Sequence, residues 1–159
     1  MKIAIFTVVA VVALTACQSL YMAPKIEYAK VCDPANSGKK FAVDGFLQVT
    51  DRVPCMKSLS PGRECAFKLA DKVNVVGKEV MLKIKEGSGN GMVETPESGK
   101  SVSSTTVFTR ADIKILLSDG SEIVPQPDIA TPVTVNGEVY VSTSDSGLCT
   151  ITAESINKR

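Results

Sequence analysis

The chain has 159 residues with 18 basic and 17 acidic side chains, no His and no Trp. The formal net charge of +1 argues against a nucleic-acid partner, because proteins that bind nucleic acid usually carry clustered positive charge. The absence of His excludes Ser-His-Asp and Cys-His catalysis, zinc sites built on His and the commonest general base.

The first residues have the order of charge and hydropathy that is typical of an export signal. Lys2 supplies a positive charge, and an uncharged apolar run follows from Ile3 to Leu14. A membrane-spanning helix needs about 20 apolar residues, so this run is too short to be a permanent span. Residues 1–16 are therefore predicted to be a signal peptide that is removed after export.

The segment Leu14-Thr15-Ala16-Cys17 lies directly at the end of the apolar run. It resembles the lipobox of bacterial lipoproteins, in which an aliphatic residue and two small residues precede a Cys. The resemblance implies that Cys17 receives a diacylglycerol, that the chain is cut before it and that the new amine is acylated, which gives a lasting membrane anchor. In that family an Asp after the Cys favours the inner membrane, so Gln18 implies the outer membrane, on its periplasmic or surface side. The alternative is an ordinary secretory signal that contains a Cys.

Residues 17–31 are predicted to be the lipid anchor and a linker, and residues 32–159 a single domain. An even number of cysteines in an exported domain predicts disulfides. Four cysteines allow three pairings, of which we favour two bonds: Cys55–Cys65 across one loop and Cys32–Cys149 between the two ends of the domain. No Cys-x-x-Cys spacing occurs, which argues against a thioredoxin-like redox role.

Beyond Cys32 the apolar residues recur at every second position, which predicts strands. The predicted strands cover 41–50, 64–70, 78–85, 113–117, 132–142 and 147–154. Asp119-Gly120 predicts a tight turn from 113–117 into a short strand at 122–124. Residues 86–106 are rich in Gly and Ser and predict a long mobile loop, which is either functional or an inert insertion.

Two of these strands share a layout, with alternating apolar residues and a Gly, Gly45 or Gly137, on the inward face. An inward Gly marks a bend or a bulge, which a barrel needs in order to close. The layout resembles the first and fourth strands of OB-fold domains, and residues 149–156 resemble the closing strand. The resemblance predicts an all-β domain, a small OB-like five-stranded barrel in which an extra hairpin replaces the usual helix. A β-sandwich is the alternative.

Few residues suggest chemistry, and neither a cofactor nor a metal is predicted. Residues 87–91 are rich in Gly but lack the Lys and Ser or Thr of a phosphate-binding loop. Asp119 with Glu122 could hold Ca²⁺, but Asp-Gly is more often a turn, and the ligand series of a calcium loop is absent. Four acids are candidates for a hydrolase without His: Glu79, Glu86, Glu94 and Glu97. Their loop-rich setting favours solvated surface positions instead.

The outward positions of the strands suggest where a partner would bind. OB-fold domains often bind oligonucleotides or oligosaccharides on the face of their second and third strands. That face would carry Lys68, Lys83 and Lys85 with Met81 between them. Binders of single-stranded nucleic acid also need stacking aromatic residues, which are scarce here, so the lysines predict a solvated face and no nucleic-acid partner.

A candidate partner surface consists of four outward apolar side chains: Phe46, Met81, Leu116 and Tyr140. The alternative is that the long loop or the linker covers them. The sequence thus predicts a membrane-anchored envelope lipoprotein that binds an envelope protein or polymer and is not an enzyme. The runner-up is a structural or protective lipoprotein, such as an inhibitor or exclusion factor.

Overall fold

The computed structural model describes residues 23–58, 62–73, 79–100, 105–144 and 147–159. The predicted signal peptide, Cys17 and the first part of the predicted linker lie outside these ranges. The strands within them are β1 (Lys25–Ile26), β2 (Lys40–Gln48), β3 (Arg52–Lys57), β4 (Arg63–Ala70), β5 (Val80–Lys85), β6 (Val93–Glu94), β7 (Thr106–Thr109), β8 (Lys114–Leu116), β9 (Glu122–Ile123), β10 (Thr131–Val141) and β11 (Cys149–Lys158). Short 3-10 turns lie at Tyr28–Lys30, Pro34–Asn36 and Arg110–Asp112. No helical segment in these ranges has the length and hydropathy that a membrane crossing requires.

Five strands form a closed barrel in the order β2-β10-β11-β5-β4, and β4 pairs again with β2. Neighbouring strands are antiparallel except β5 and β11, which are parallel. The all-β, OB-like barrel predicted from the sequence is therefore confirmed. The pairing of β2 with β4 closes the sheet on itself, so the domain is not a β-sandwich.

The alternation of apolar residues determines which side of each strand forms the core. In β10 every second residue from Val133 to Val141 is buried, while the residues between them are half-buried or exposed. In β5 the same alternation buries Val80, Leu82 and Ile84. Successive side chains of a strand point to opposite faces, so the period of two in the sequence was sufficient to predict this core.

Gly45 and Gly137 stand where the barrel strands approach most closely. A Cβ at Gly137 would overlap the backbone oxygen of Thr152, and the register between β10 and β11 shifts at this residue. A Cβ at Gly45 would lie 2.8 Å from Cγ of Leu69 on β4. Both inward glycines thus serve barrel closure, as the sequence predicted.

Residues 25–31 belong to the barrel, which corrects the linker predicted over 17–31. β1 pairs in parallel with Ala42 and Val43 of β2. β4 pairs with β2 only further along that strand, so β1 extends the wall where β2 and β4 separate. A strand of two residues is too short to show the alternation on which the sequence analysis relied.

Tyr28 fixes this N-terminal segment to the barrel. Its hydroxyl donates a hydrogen bond to the backbone oxygen of Leu69 at 2.5 Å and accepts one from the backbone N–H of Val80 at 3.2 Å. Burial raises the pKa of the Tyr28 hydroxyl to about 12, so the hydroxyl keeps its proton. Val31, three residues later, is fully buried in the core.

Both predicted disulfides are present. Cys32–Cys149 joins the end of the N-terminal segment to the first residue of β11. Cys55–Cys65 joins directly opposite residues of β3 and β4. β3 extends the sheet beyond β4, and β7 pairs with its other edge.

The described residues of the range 86–130 form an insertion between the barrel strands β5 and β10, with β7 paired to β3 and a separate three-stranded sheet in the order β6-β8-β9. The predicted hairpin at Asp119-Gly120 is confirmed, because Ile115 of β8 pairs with Ile123 of β9. Gly120 has φ +83°, a left-handed conformation that glycine adopts at little cost.

The prediction of a long structureless loop over residues 86–106 is wrong for the part that the structure describes. This segment contains β6, which pairs with β8, and it buries Val93 and Thr95. Residues 101–104 lie outside the described ranges. The Gly- and Ser-rich composition concealed these contacts, because a two-residue strand and a buried Thr leave no periodic pattern.

Candidate binding groove

The outer face of β4 and β5 forms a groove between β3 on one side and β10 and β11 on the other. Two cross-strand rows of outward residues define it: Lys68, Met81, Thr150 and Tyr140, and then Ala66, Lys83, Thr152 and Glu138. We call this surface the β4–β5 groove. The predicted placement of the β4 and β5 lysines around Met81 is thereby confirmed.

Four cavities adjoin one another along the β4–β5 groove. A cavity of about 420 Å³ beside Met81 and one of about 450 Å³ beside Tyr140 are both lined by Ala66. Glu64 lines both the cavity beside Tyr140 and a third cavity of about 460 Å³. Lys68 lines both the cavity beside Met81 and a fourth cavity of about 410 Å³. The four cavities therefore adjoin in a row along the groove.

The cavity beside Met81 is the apolar compartment of the groove. Met81 and Pro54 line it together with Leu148, a residue of the segment between β10 and β11. Leu148 is 42% exposed, so apolar surface remains open to a ligand here. Cys149 and Phe67 form part of the same lining and are themselves buried in the barrel.

The neighbouring compartment combines apolar walls with polar groups. Met56 of β3 and Tyr140 of β10 both line it and are 44% and 59% exposed. Between them lie the hydroxyl side chain of Thr152 and the half-buried Lys83. A ligand here would meet an aromatic ring, a thioether and a cation within one cavity.

The lysines of the groove differ in their electrostatic partners. Lys68 forms an ion pair with Glu79 at 2.6 Å. In the part of the chain that the structure describes, no ion pair joins Lys83 or Lys85 to a carboxylate. Lys85 is exposed and stands opposite Glu64 on β4, whereas the partly buried Lys83 stands opposite Ala66. The cavity beside Tyr140 is also lined by Lys57, Glu64 and Glu138. Among its residues Lys83 is the half-buried cation, and no ion pair within the described ranges holds it.

The structure brings together two of the four predicted surface residues. Met81 and Tyr140 flank Thr150 in one cross-strand row. Phe46 lies on β2 opposite Ala70 and Pro132, away from Tyr140.

Leu116 lies on β8 in the insertion, where its backbone N–H bonds to the carbonyl oxygen of Met92. The prediction of a single four-residue patch was wrong, because alternation identifies the outward face of a strand but not which strands are neighbours.

Sequence analysis missed Met56 and Leu148, the two side chains that complete the groove walls. Met56 lies on β3, where Pro54 interrupts the strand pattern, because proline is uncommon inside sheets. Leu148 falls within the strand that the alternation predicts over 147–154, but it lies immediately before β11. Their place in the groove becomes apparent only in the structure, where β3 and the segment before β11 lie beside β4 and β5.

A buried ion-pair cluster lies where the insertion meets the barrel, and no sequence pattern indicated it. The side chain of Arg63 on β4 is only 4% exposed. Its guanidinium donates two hydrogen bonds to the Glu86 carboxylate, each of 2.5 Å, and one to Glu97 at 2.9 Å. It also donates to the hydroxyl of Thr106 at 2.8 Å and stacks on the ring of Phe108, 5.4 Å from the ring centre.

The predicted solvated setting of Glu86 is therefore incorrect, because its side chain is only 8% exposed. The hydrogen bonds from Arg63 hold the pKa of the Glu86 carboxyl below its usual range, although burial opposes this shift. The hydroxyl of Thr95 donates a further short hydrogen bond to Glu86. The cluster is fully paired and fixes the insertion to β4.

The other candidate acids are also engaged or lie at pairing positions. Glu79 binds Lys68, and Glu97 binds Arg63. Glu94 on β6 stands opposite Lys114 on β8. This arrangement leaves no two of these carboxylates as a free acid–base pair in one cleft.

Of the two candidate calcium ligands, Asp119 lies in the turn between β8 and β9, and Glu122 is the first residue of β9. The carboxylate of Asp119 accepts hydrogen bonds from the backbone N–H and the hydroxyl of Ser121, at 2.9 and 2.6 Å. Glu122 pairs with Lys114 at 3.5 Å. The described ranges contain no group of three His, Cys, Asp or Glu placed to hold a metal ion.

A cavity of about 690 Å³, larger than each of the four along the groove, lies beside the N-terminal segment. Its lining includes Cys32, Tyr28 and Glu79. Cys32 is in a disulfide, the Tyr28 hydroxyl bonds to the backbone of two strands, and Glu79 pairs with Lys68. These groups stabilise the barrel, so the β4–β5 groove is the better candidate for a binding site.

Comparisons of the chain with protein-family models, with curated proteins and with solved structures return no match.

Proposed function

We propose that this protein is a membrane-anchored envelope lipoprotein that acts as a non-catalytic binding module. It would engage another envelope protein or polymer through the β4–β5 groove. The lipobox-like segment ending at Cys17 supports the anchor. The two disulfides support an exported location, because disulfides persist in oxidising compartments.

The observation that carries the proposal is the exposure of Met56 and Tyr140 in one cavity. They are 44% and 59% exposed, and they come from strands far apart in the sequence. Tyr and Met are enriched in protein interfaces, where large side chains supply contact area at the centre of the patch. Their exposure in one groove therefore favours a role of this surface in binding a partner.

Binding is favoured over catalysis because the acids that a hydrolase would need have other partners. Glu86 and Glu97 bind Arg63, and Glu79 binds Lys68. A general acid or base must reach a substrate with its proton free to move. Glu86, held by three hydrogen bonds and a lowered pKa, does not meet that requirement.

The test is site-specific photo-crosslinking of the full lipidated chain in its own cells. A photoreactive amino acid replaces Tyr140 in the groove or, as a control, Val107 on β7, which has a similar exposure of 54%. We expect a discrete adduct from position 140 and none from position 107. Met56→Ala should reduce the adduct from position 140 without lowering the melting temperature, because Met56 is exposed.

Two outcomes would contradict the proposal. Identical adducts from both positions would show non-specific proximity in the membrane. No adduct from position 140 in a folded, anchored protein would leave the structural or protective role as the better explanation.

A further inference from the structure

We infer that the occupant of the β4–β5 groove is an extended peptide segment of a partner protein, with a large apolar side chain and a carboxylate two residues from it. This inference rests on the proposed function and specifies the partner's chemistry. Met81 would contact the apolar side chain, and Lys83 would bind the carboxylate.

The apolar compartment requires an apolar group on the ligand. Met81, Pro54 and Leu148 line a cavity of about 420 Å³, and removing such surface from water is favourable in proportion to its area. Lys68 at the rim is already paired with Glu79. A fully polar ligand would therefore leave the main attraction of this compartment unused.

The next compartment offers a half-buried cation without an ion pair among the described residues, although Glu64 and Glu138 also line this cavity. Lys83 is half-buried and stands between Ala66 on β4 and Thr152 on β11. No carboxylate of the described residues pairs with it, whereas the rim cation Lys68 has such a partner. A ligand carboxylate would supply this partner, and the Thr152 hydroxyl could donate a hydrogen bond to it.

The spacing of the two compartments matches an extended peptide. Met81 and Lys83 are alternate residues of β5, so their outward side chains stand roughly 6.6–6.8 Å apart along the strand. Alternate residues of an extended ligand repeat at the same distance. An apolar residue over Met81 thus places the second residue before or after it over Lys83.

A ligand that matches both compartments carries an apolar group and an anion, and this combination favours a peptide over an anionic polymer of the envelope. A polyol phosphate or a uronic-acid polymer would satisfy Lys83 but has no large apolar group for the Met81 compartment. The peptide must be recognised through side chains, because β4, β5, β10 and β11 each have a paired neighbour on both sides. Strand addition is therefore not available at the groove face.

The test is the selection of random 12-residue displayed peptides on the immobilised full chain in detergent. We expect enriched peptides to share a large apolar residue with Asp or Glu two positions away. Repeating the selection on Lys83→Gln should remove the acidic preference and keep the apolar one. A selected peptide should bind Lys83→Gln at least about tenfold more weakly, since a hydrogen bond to a charged group is lost.

Lys39→Gln is the control, because Lys39 is an exposed lysine that lines none of the four cavities of the groove. It should keep the same peptide consensus as the original chain. Free α-carboxylates are distinguished from side-chain carboxylates by amidating the synthetic peptides at their C-termini. Binding lost on amidation would assign the anion to a chain end instead of Asp or Glu.

Three outcomes would overturn the peptide inference. The first is no consensus among peptides selected on the original chain, and the second is an unchanged acidic preference on Lys83→Gln. The third is that polyphosphate displaces every selected peptide at a concentration below that of the peptide. The last would assign the groove to an anionic polymer. Crosslinking from position 140 does not depend on ligand chemistry. An adduct there with no peptide consensus therefore overturns this inference alone, whereas no adduct removes the proposed function as well.

Discussion

The barrel and the insertion at residues 86–130 are stabilised in different ways. The barrel buries alternate apolar residues of five strands, and Cys32–Cys149 joins its N-terminal segment to β11. The insertion has a small sheet, and apolar residues such as Val93, Ile115 and Leu117 join the same core as the barrel. It differs from the barrel in its buried polar contacts, the Arg63 cluster and the hydrogen bonds of Ser118 to the backbone of Ile156. The insertion should therefore respond to changes of charge more strongly than the barrel, and the barrel to changes of chain connectivity.

The largest effect should come from removing the disulfide of the barrel. Cys32→Ala with Cys149→Ala releases a closed loop with a sequence separation of 117, against 10 for Cys55–Cys65. On the chain-entropy model the losses are about 5 and about 3 kcal/mol. Urea unfolding of the two double variants measures the difference, and equal losses would contradict the assignment of barrel stability to the longer closure.

Arg63→Met should loosen the insertion while leaving the barrel folded. The change leaves the Glu86 carboxylate buried without its cation, which typically costs about 3–5 kcal/mol. Hydrogen exchange should show lost protection at β6 and β8 before β10 and β11. Adding Glu86→Met should recover most of the stability, because an apolar pair needs no charge partner.

Lys68→Met is the control for the Arg63 variant. Its ion pair with Glu79 is solvent-exposed, so the expected loss is at most about 1 kcal/mol. Uniform exchange across barrel and insertion in Arg63→Met would contradict the separation of the two regions.

A smaller effect distinguishes two glycines. Gly137→Ala places a methyl group against the backbone oxygen of Thr152, and such overpacking costs about 1–3 kcal/mol. Gly89→Ala in the insertion meets only the flexible side chain of Met92, whose sulfur lies 3.3 Å from the new Cβ, so it should change stability by less. Thermal unfolding compares them, and a larger loss for Gly89→Ala would show that the insertion is packed as tightly as the barrel.

The smallest effect should be a pH dependence confined to acid. Because Arg63 lowers the pKa of Glu86 in the folded chain, the ionised Glu86 stabilises fully above its ordinary pKa of 4.5. That stability is lost as the pH falls through the lower folded pKa. The free-energy difference between the original chain and Glu86→Gln should therefore shrink in acid, and a constant difference from neutral pH to pH 2 would contradict this linkage.

Much of the barrel could be predicted because its sequence is periodic. The alternation through Val133–Val141 and the inward Gly45 and Gly137 arise from the same geometry that closes the sheet. β3 could not be predicted, because Pro54 interrupts its pattern, and β1 and β6 are too short to have one. Their positions depend on contacts distant in sequence, such as that of β1 with β2.

The candidate site was only partly accessible from the sequence for the same reason. The outward positions of Met81 and Lys83 follow from the alternation along β5. Their grouping with Tyr140 and Met56 depends on the order of the strands in the sheet and on the position of β3 beside the groove. The charge pairing of Arg63 with Glu86 also joins residues distant in sequence, and no local pattern encodes it.

The Cys32–Cys149 disulfide would have a mechanical consequence in a protein that is held at a membrane by its N-terminal end. A pull on the proposed lipid anchor would load the contacts of residues 23–31 with the barrel, and their release would add about 30 Å of reach. Further extension stops at Cys32, and the force then passes through Cys149 into β11. β11 pairs with β5 on one side and with β10 on the other, so the force would enter the barrel wall beside the groove. In the proposed lipoprotein the chain before Cys32 would thus form an extensible tether with a fixed covalent limit at the Cys32–Cys149 disulfide.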